Sequence, residues 1–497
     1  MKSNGRNNTD ELMDALAGIR AEYMEEADLV LRHGRKGQGR KRLAVLLAAA
    51  AVLIAAIGIG VVMIIRNYTG KPAVSTDPTG SDTRQILADS EIYNLKPQQI
   101  AGNSQTLCYT KTFRRNFQLL MTADRRTGIS APACSEEGCN HDNDSCSAFI
   151  MHGNTSISAL SISESRIYYT KGVGNAEGQT VYSNDLTTGL SEEAARVDNG
   201  NLFPEEISYE HWNSGFIEGK DCFYDGDFYY TVCMGNGKDN ARETVYYPTV
   251  VRSPITSGRE ERTILQEQAT GFDYIDMHLM PRDEGLYIFE FMEKQGETLG
   301  KDYDSSDRQV TMYIYLYRPD EDSAELVFSK EYPVNFIISN ANILNGKLCF
   351  VSRDDTANNC VYMQDLKGEP EILLEVKPDT ETKYSMISFA KEYFCIWYQD
   401  RSSGELMLEI ELYNYEGEMI RNFPVGKPSE LRPEEPEHYL KEDGSISGET
   451  AFLGADSDNL YFRDRYYSST LNDSSYEEFV YAVSTDGMNV LPFTERF

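Results

Sequence analysis

The sequence predicts an all-β protein: a seven-bladed β-propeller held outside a membrane by one N-terminal helix. Three observations carry this. A 23-residue uncharged run, Leu43 to Ile65, lies near the N-terminus. The remainder is rich in aromatic residues, with 32 Tyr and 21 Phe, which favour strands. It also repeats itself at a nearly constant spacing, the mark of a repeat architecture.

Residues 1–42 are read as a cytoplasmic segment. Asn8 and Glu11 form a capping-box pattern, and Leu12, Leu16, Ile19, Tyr23, Ala27 and Val30 recur at helical steps. An amphipathic helix over residues 9–31 is expected, a docking surface for a cytoplasmic protein or a helix lying on the bilayer. Residues 43–65 are long enough to span a bilayer. Arg32, Arg35, Lys36, Arg40, Lys41 and Arg42 precede the span and only Arg66 follows it, so the N-terminus is assigned to the cytoplasm. A cleaved signal peptide would have a shorter apolar core and a small-residue cleavage site. Residues 66–88, rich in Gly, Pro, Ser, Thr and Asp, read as a flexible linker.

Residues 89–497 make up the extracytoplasmic part. The whole chain has 79 Asp and Glu against 47 Lys and Arg, a formal charge of -32. Nearly all that acidity lies beyond the span, which excludes a nucleic-acid binder. Leu107 to Lys111 recurs as Ile167 to Lys171, and Asp124 to Gly128 as Asp185 to Gly189. Repeat units are read as starting near Leu107, Ile167, Phe228, Leu286, Leu348, Tyr393 and Leu460, each as strand, loop, strand, turn, strand. Stacking such sheets in a ring buries their faces and protects their edges. The last repeat is read as short of a strand, with Ile92 to Leu95 as its complement. A pair of β-sandwiches is the alternative and leaves the even spacing unexplained.

Nine cysteines are present, three of them in CSEEGCNHDNDSC. Cys134, Cys139, His141 and Cys146 supply three thiols and an imidazole, the donor set of a closed tetrahedral zinc site. The first spacing departs from the common C-x2-C, and a disulfide is the rival reading in an oxidising compartment. The segment is placed in a loop between the first two blades. Cys349 and Cys360 would bridge if in register; Cys222 lies nearer Tyr229 than Cys233; Cys395 reads as a packing residue.

The run TDELMDALAGIRAEYMEEA, the tandem strand repeats and the Cys/His segment together resemble single-pass envelope proteins of Gram-positive anaerobes. Some of those act as anti-sigma-type regulators. The resemblance implies an extracytoplasmic propeller of unassigned function with a Cys/His loop near its first blade.

No H-E-x-x-H, G-x-S-x-G, Walker A or EF-hand pattern occurs, and Gly172, Gly174 and Gly178 read as a hairpin loop. Asp225 to Asp227, Asp302 to Asp307 and Asp456 to Asp458 are calcium candidates, more simply read as solvated turns. His152, His211, His278 and His438 show no common spacing; Trp212 and Trp397 are core or ligand platform. The function expected is a binding or sensing module, tethered at the cell membrane, with a protein or glycan ligand outside. The alternative is an envelope propeller enzyme, a hydrolase or lyase on glycan or peptide, whose acid and base converge at one mouth of the channel.

Overall fold

The computed structural model describes residues 100–495, apart from 114–116, 137, 144–145, 153–156, 158, 164, 171–177, 199–218, 236–244, 271, 295–308, 334–338, 345, 354–358, 377–378, 380–382, 403–405, 434–435, 442–444 and 469–475. The cytoplasmic helix, the apolar span, the linker and Ile92 to Leu95 therefore lie outside the described residues. Among the described residues no helix is long and apolar enough to cross a membrane.

Seven antiparallel sheets follow one another along the chain. From inner to outer strand, blade 1 has Ile100–Gly102, Thr106–Phe113 and Phe117–Asp124, then an outer strand in two pieces, Ile129–Pro132 and Phe149–His152. Blade 2 has Leu160–Ser163, Arg166–Thr170, Gly178–Asp185 and Ser191–Asp198. Blade 3 has Cys222–Tyr224, Asp227–Gly235, Val245–Pro254 and Arg262–Gln266, with Ala269–Thr270 continuing the outer edge. Blade 4 has Phe272–Arg282, Gly285–Lys294, Gln309–Arg318 and Ser323–Pro333. Gly219–Lys220 pairs in parallel with Phe272–Arg282 before the chain enters blade 3, adding a short fifth strand to the inner edge of blade 4.

Blade 5 has Ser339–Leu344, Lys347–Arg353, Asn359–Asp365 and Glu371–Glu375. Blade 6 has Lys383–Phe389, Phe394–Asp400, Met407–Tyr413 and Met419–Val425. Blade 7 has Gly448–Ala455, Asn459–Tyr467, Tyr476–Ser484 and Val490–Pro492.

The seven-bladed propeller is thus as expected, with two corrections. Each predicted repeat begins at the second strand of a blade, and a shorter inner strand precedes it. The second strands have a blade on either side, so they are buried on both faces and read as continuous apolar runs; Phe394 to Tyr398 is all buried. The outer strand Met419–Val425 is largely exposed, which makes it the weaker signal. The last blade, secondly, lacks nothing: its four strands all come from residues 448–492.

Aliphatic and aromatic side chains fill every seam. Phe228, Tyr230 and Val251 join Ala159 and Val181 between blades 2 and 3, while Phe289 and Ile314 meet Phe350 between blades 4 and 5. Trp397 packs edge-on against Phe462 between blades 6 and 7, and its indole N–H donates to Ser388 Oγ at 3.3 Å, so it is core. The ring closes between blades 7 and 1. Thr494–Glu495 pairs in parallel with Ile129 and Ser130 at the outer edge of blade 1. Deeper in, the buried Glu478 accepts the Thr112 N–H at 2.8 Å and Arg465 Nε at 2.6 Å. Arg463 Nη2 donates to the Thr110 carbonyl at 3.0 Å, Lys111 pairs with Glu495, and Tyr109 stacks on Phe493.

Candidate metal centre and the inner strand of blade 4

The Cys/His segment lies within blade 1 rather than between blades 1 and 2. It interrupts the outer strand, which stops at Pro132 and resumes at Phe149. Both ends of the insertion are tied to one residue of the neighbouring strand: Ala133 N donates to Leu120 O, and Leu120 N donates to Ala148 O, each at 2.8 Å. The chain therefore leaves the sheet and returns to the same place, so the intervening loop is closed at its base before any ligand is added.

Within that loop one ligand atom from each of Cys134, Cys139, His141 and Cys146 lies within 4.8 Å of the others. His141 Nδ1 is 3.2 Å from Cys146 Sγ. Left-handed backbone turns at Gly138 (φ 76°) and His141 (φ 57°) flank Cys139 and fold its side chain back on the group. For a β-carbon-bearing His that conformation is costly, and such strain is held where the surroundings demand it. All nine cysteines are free thiols. A disulfide would use two of these sulfurs and leave the third and the imidazole without a role; four donors converging on a point fit a zinc ion.

The electrostatics suit thiolate ligands. Burial pushes the Cys134 thiol up, but the Glu136 backbone N–H, the Ser147 hydroxyl and the two neighbouring cysteines outweigh it and bring it below the ordinary thiol value. Cys146 is pushed up to about 12, by burial and then by the adjacent sulfurs, against the Ala148 N–H. Three thiols so close cannot all ionise without a cation between them. Burial lowers the His141 pKa despite Asp142 beside it, keeping the imidazole neutral and able to ligate.

Blade 2 grips the loop. Asn184 Nδ2 donates to Ala133 O at 2.6 Å and to Ser147 O at 3.5 Å, one bond to each end of the insertion. Tyr169 OH donates to the same Ser147 carbonyl at 3.4 Å. The Asp185 to Leu190 turn lies against Ser135, and a β-carbon at Gly189 (φ +69°) would stand 1.8 Å from Ser135 Oγ. Loop and turn together fasten the outer edge of blade 1 to blade 2.

The other sequence candidates separate cleanly. Asp225 and Asp227 are taken by Arg259, at 2.6 and 3.0 Å, with Ser257 also on Asp227. Asp456 accepts from Arg125, from Tyr461 OH and from the Asp458 and Asn459 N–H groups. Both are satisfied structural turns rather than calcium sites, and Asp302 to Asp307 lies outside the described residues. Cys349 pairs with Met363 and Cys360 with Ser352, so those two cysteines are out of register for a bridge. Cys222 does stand opposite Tyr229, and Cys395 is fully buried. His438 sits in the 3-10 turn Pro436–Tyr439, His152 in the resumed outer strand of blade 1, and His211 and Trp212 outside the described residues.

The remaining histidine is more informative. His278 Nε2 lies 2.6 Å from Asp276 Oδ2, both on the inner strand of blade 4 and both partly exposed. Their i, i+2 spacing puts them on one face of the strand. Asp276 Oδ1 is buried without a partner. This pair was not singled out from sequence, although the D-x-H spacing within an alternating run is visible there.

No protein-family model matches the chain, and no curated protein matches it. Solved structures do. A prolyl endopeptidase matches at 11% identity and TM-score 0.46, over 82% of this chain and 50% of its own. Oligopeptidase B from Leishmania major matches at 10% and 0.41, over 81% and 49%. The propeller domain of the Trilobed protease from Pyrococcus furiosus matches at 10% and 0.42, over 81% and 98%. The chain spans about half the length of the first two. These neighbours are peptidases, one of them the propeller domain of a protease, and on that finding the expected binding or sensing module is corrected. At such TM-scores the likeness carries no activity, substrate or residue to this chain.

Proposed function

We propose that the chain is a membrane-anchored, extracytoplasmic propeller enzyme that cleaves peptide or glycan, with Asp276 and His278 as its acid–base pair and a structural zinc ion on Cys134, Cys139, His141 and Cys146. The observation that supports the activity is the 2.6 Å imidazole–carboxylate contact on Phe272–Arg282 of blade 4, which Gly219–Lys220 flanks on its inner side. Inner strands surround the axis of a propeller, where ligands enter. Asp276 holds the ring through Nε2, so proton transfer to substrate falls to Nδ1. A general base so held activates water for hydrolysis or removes a proton for elimination.

The zinc stands apart from that chemistry. Four protein ligands leave the metal no position for water or substrate, so it acts by holding the loop. The anchor is supported by the uncharged run 43–65 and the basic residues before it.

The test is full-length chain, purified in detergent, incubated with a panel of peptides and cell-wall glycans, with products read by mass spectrometry. Cleavage is expected, falling by about 100-fold or more in His278→Ala and Asp276→Asn. No turnover on the panel, or turnover unchanged in both variants, would refute the assignment.

A further inference from the structure

Among the described residues, the large apolar side chains left in solvent lie on outer strands, third strands and turns, with two exceptions. Tyr384 and Met386, 36% and 52% exposed, stand on the inner strand of blade 6, Lys383–Phe389. Their i, i+2 spacing puts both on one face. Tyr384 pairs with Gln399 and Met386 with Trp397, so that face is the one turned toward blade 7. At the second strand it is sealed: Gln399 donates to the Gly448 carbonyl at 3.4 Å and accepts the Thr450 N–H at 3.1 Å. One strand further in, Tyr384 and Met386 look past blade 7 toward the axis.

Arg401 lies over them. Its guanidinium carbon is 5.1 Å from the centre of the Tyr384 ring, and its Nε–H is buried without an acceptor. It makes no ion pair among the described residues, in a chain of formal charge -32. The carboxylates nearest in sequence and across the sheet are spent, Asp400 on the Ser402 N–H at 2.8 Å and Glu409 on Lys383 at 2.8 Å. The Arg401 carbonyl accepts the Ile446 N–H at 3.3 Å, which ties this residue to the segment that enters blade 7. A buried donor without an acceptor is a cost that a bound acceptor removes. A guanidinium stacked on an aromatic ring and lacking a partner fits a carboxylate, which it binds through two parallel N–H groups.

The same level of the channel carries Asp276 and His278. Counted from the turn that ends each strand, Tyr384 and Met386 stand within one residue of them. The two turns meet across the inner end of blade 5, where Lys391 pairs with Asp283 at 3.4 Å, so the strands of blades 4 and 6 converge there.

We propose that Arg401, Tyr384 and Met386 form a subsite that holds a substrate peptide by a carboxylate, either its C-terminus or an Asp or Glu side chain, with an adjoining apolar side chain against Tyr384 and Met386. The proposal deepens the assignment of Asp276 and His278 and rests on their acting on a peptide. An exposed methionine offers a flexible apolar surface, which suits an aliphatic side chain better than the hydroxyls of a sugar.

The test uses the full-length His278→Ala chain in detergent, so that probes bind without being cut. Three dansyl peptides are titrated while fluorescence anisotropy is read: dansyl-Ala-Leu-Ala as the free acid, the same peptide amidated, and amidated dansyl-Glu-Leu-Ala. The free acid or the Glu peptide should bind about tenfold or more tighter than the plain amide, and whichever does identifies the source of the carboxylate. Adding Arg401→Gln should bring acid and amide to within about twofold while leaving the affinity for the amide in place. Met386→Glu, at an exposed position, puts a carboxylate beside the guanidinium and should abolish the preference likewise, so it decides if Arg401→Gln does not fold. Equal binding of all three peptides, or a preference that survives both substitutions, would overturn the subsite. So would saturable binding of a hexuronate trisaccharide where none of the peptides binds. A preference for the carboxylate that depends on Arg401, with no turnover by the wild-type chain, would support the subsite and remove the acid–base pair, so the two assignments fail separately.

Discussion

Glu290 should make the propeller lose stability as pH rises through neutrality. Its side chain is wholly buried opposite Met277 and Tyr313, with no partner on either oxygen. In the unfolded chain it titrates near the ordinary value of 4.5; in the fold it holds its proton up to about 8. Between those values the unfolded state releases the proton and the folded state cannot, so ionisation favours unfolding. The contribution is nil below pH 4.5, grows through the window and levels off above 8. At about 1.4 kcal/mol per unit, the cost is roughly 3 kcal/mol at pH 7 and about 5 kcal/mol at its limit. Both are upper values, since relaxation of the seam raises the local dielectric. Glu290→Gln cannot ionise. Urea unfolding of wild type and variant at pH 5, 6, 7 and 8 should therefore give midpoints that diverge steadily, the variant gaining as pH rises. Parallel curves would show that the carboxyl is not held neutral, and the account of the seam would fall.

Three further outcomes are expected. Glu478→Ala deprives Arg465 and the Thr112 N–H of their acceptor at the closure between blades 7 and 1; it should cost about 3–5 kcal/mol, seen as a lowered thermal midpoint, and an unchanged midpoint would mean the ring closes by its outer strand alone. Full-length chain should carry about one zinc, and a chelator should release it and expose three reactive thiols at Cys134, Cys139 and Cys146. Thiols that label only after reduction would instead reveal a disulfide. Gly189→Ala forces a β-carbon onto Ser135 at a left-handed backbone position; a loss of about 1–3 kcal/mol and faster zinc release to chelator should follow, and zinc release at the native rate would detach the turn from the metal loop.

The blade count was legible because second strands are buried on both faces, so LCYTK, IYYTK and FCIWYQ announce themselves as unbroken apolar runs. Inner strands are short and mix small and polar residues, as in IAG and LSIS, and so were missed. Closure was misjudged for the same reason: the inner strand of blade 7 is Gly448–Ala455, a run too irregular to distinguish from loop. The grouping of Cys134, Cys139, His141 and Cys146 was legible because the four lie within thirteen consecutive residues. Their place in the fold was not, since nothing local reveals that Ala133 and Ala148 meet at Leu120. Asp276 with His278, and Glu290 in its seam, depend on strand register and on which blade comes next. Neither is written in spacing alone.

In three seams of this ring the polar chemistry has a geometric reason. The 7–1 seam joins the two ends of the described ring, so no loop links its blades, and Glu478, Arg463, Lys111 and Glu495 stand in for one. The 1–2 seam carries an outer strand cut in two by the Cys/His loop, its two pieces pairing with Phe117–Asp124 on either side of the insertion. Asn184, reaching across from blade 2 to both ends of the insertion, makes the Cys/His loop a shared element of two blades. In the 3–4 seam, Gly219–Lys220 crosses to blade 4 before blade 3 begins, so the blades are tied at the inner rim while Glu290 lies buried farther along the seam. The 4–5 and 5–6 seams are filled chiefly by aromatic and aliphatic packing. Whole blades that are continuous in the chain also use buried polar contacts, as Lys427 with Asp464 between blades 6 and 7 and Arg282 with Asn342 between blades 4 and 5. What sets blade 1 apart is the interruption of its outer strand, so release of a zinc ion bound to the Cys/His loop should loosen blade 1 before it unfolds the ring.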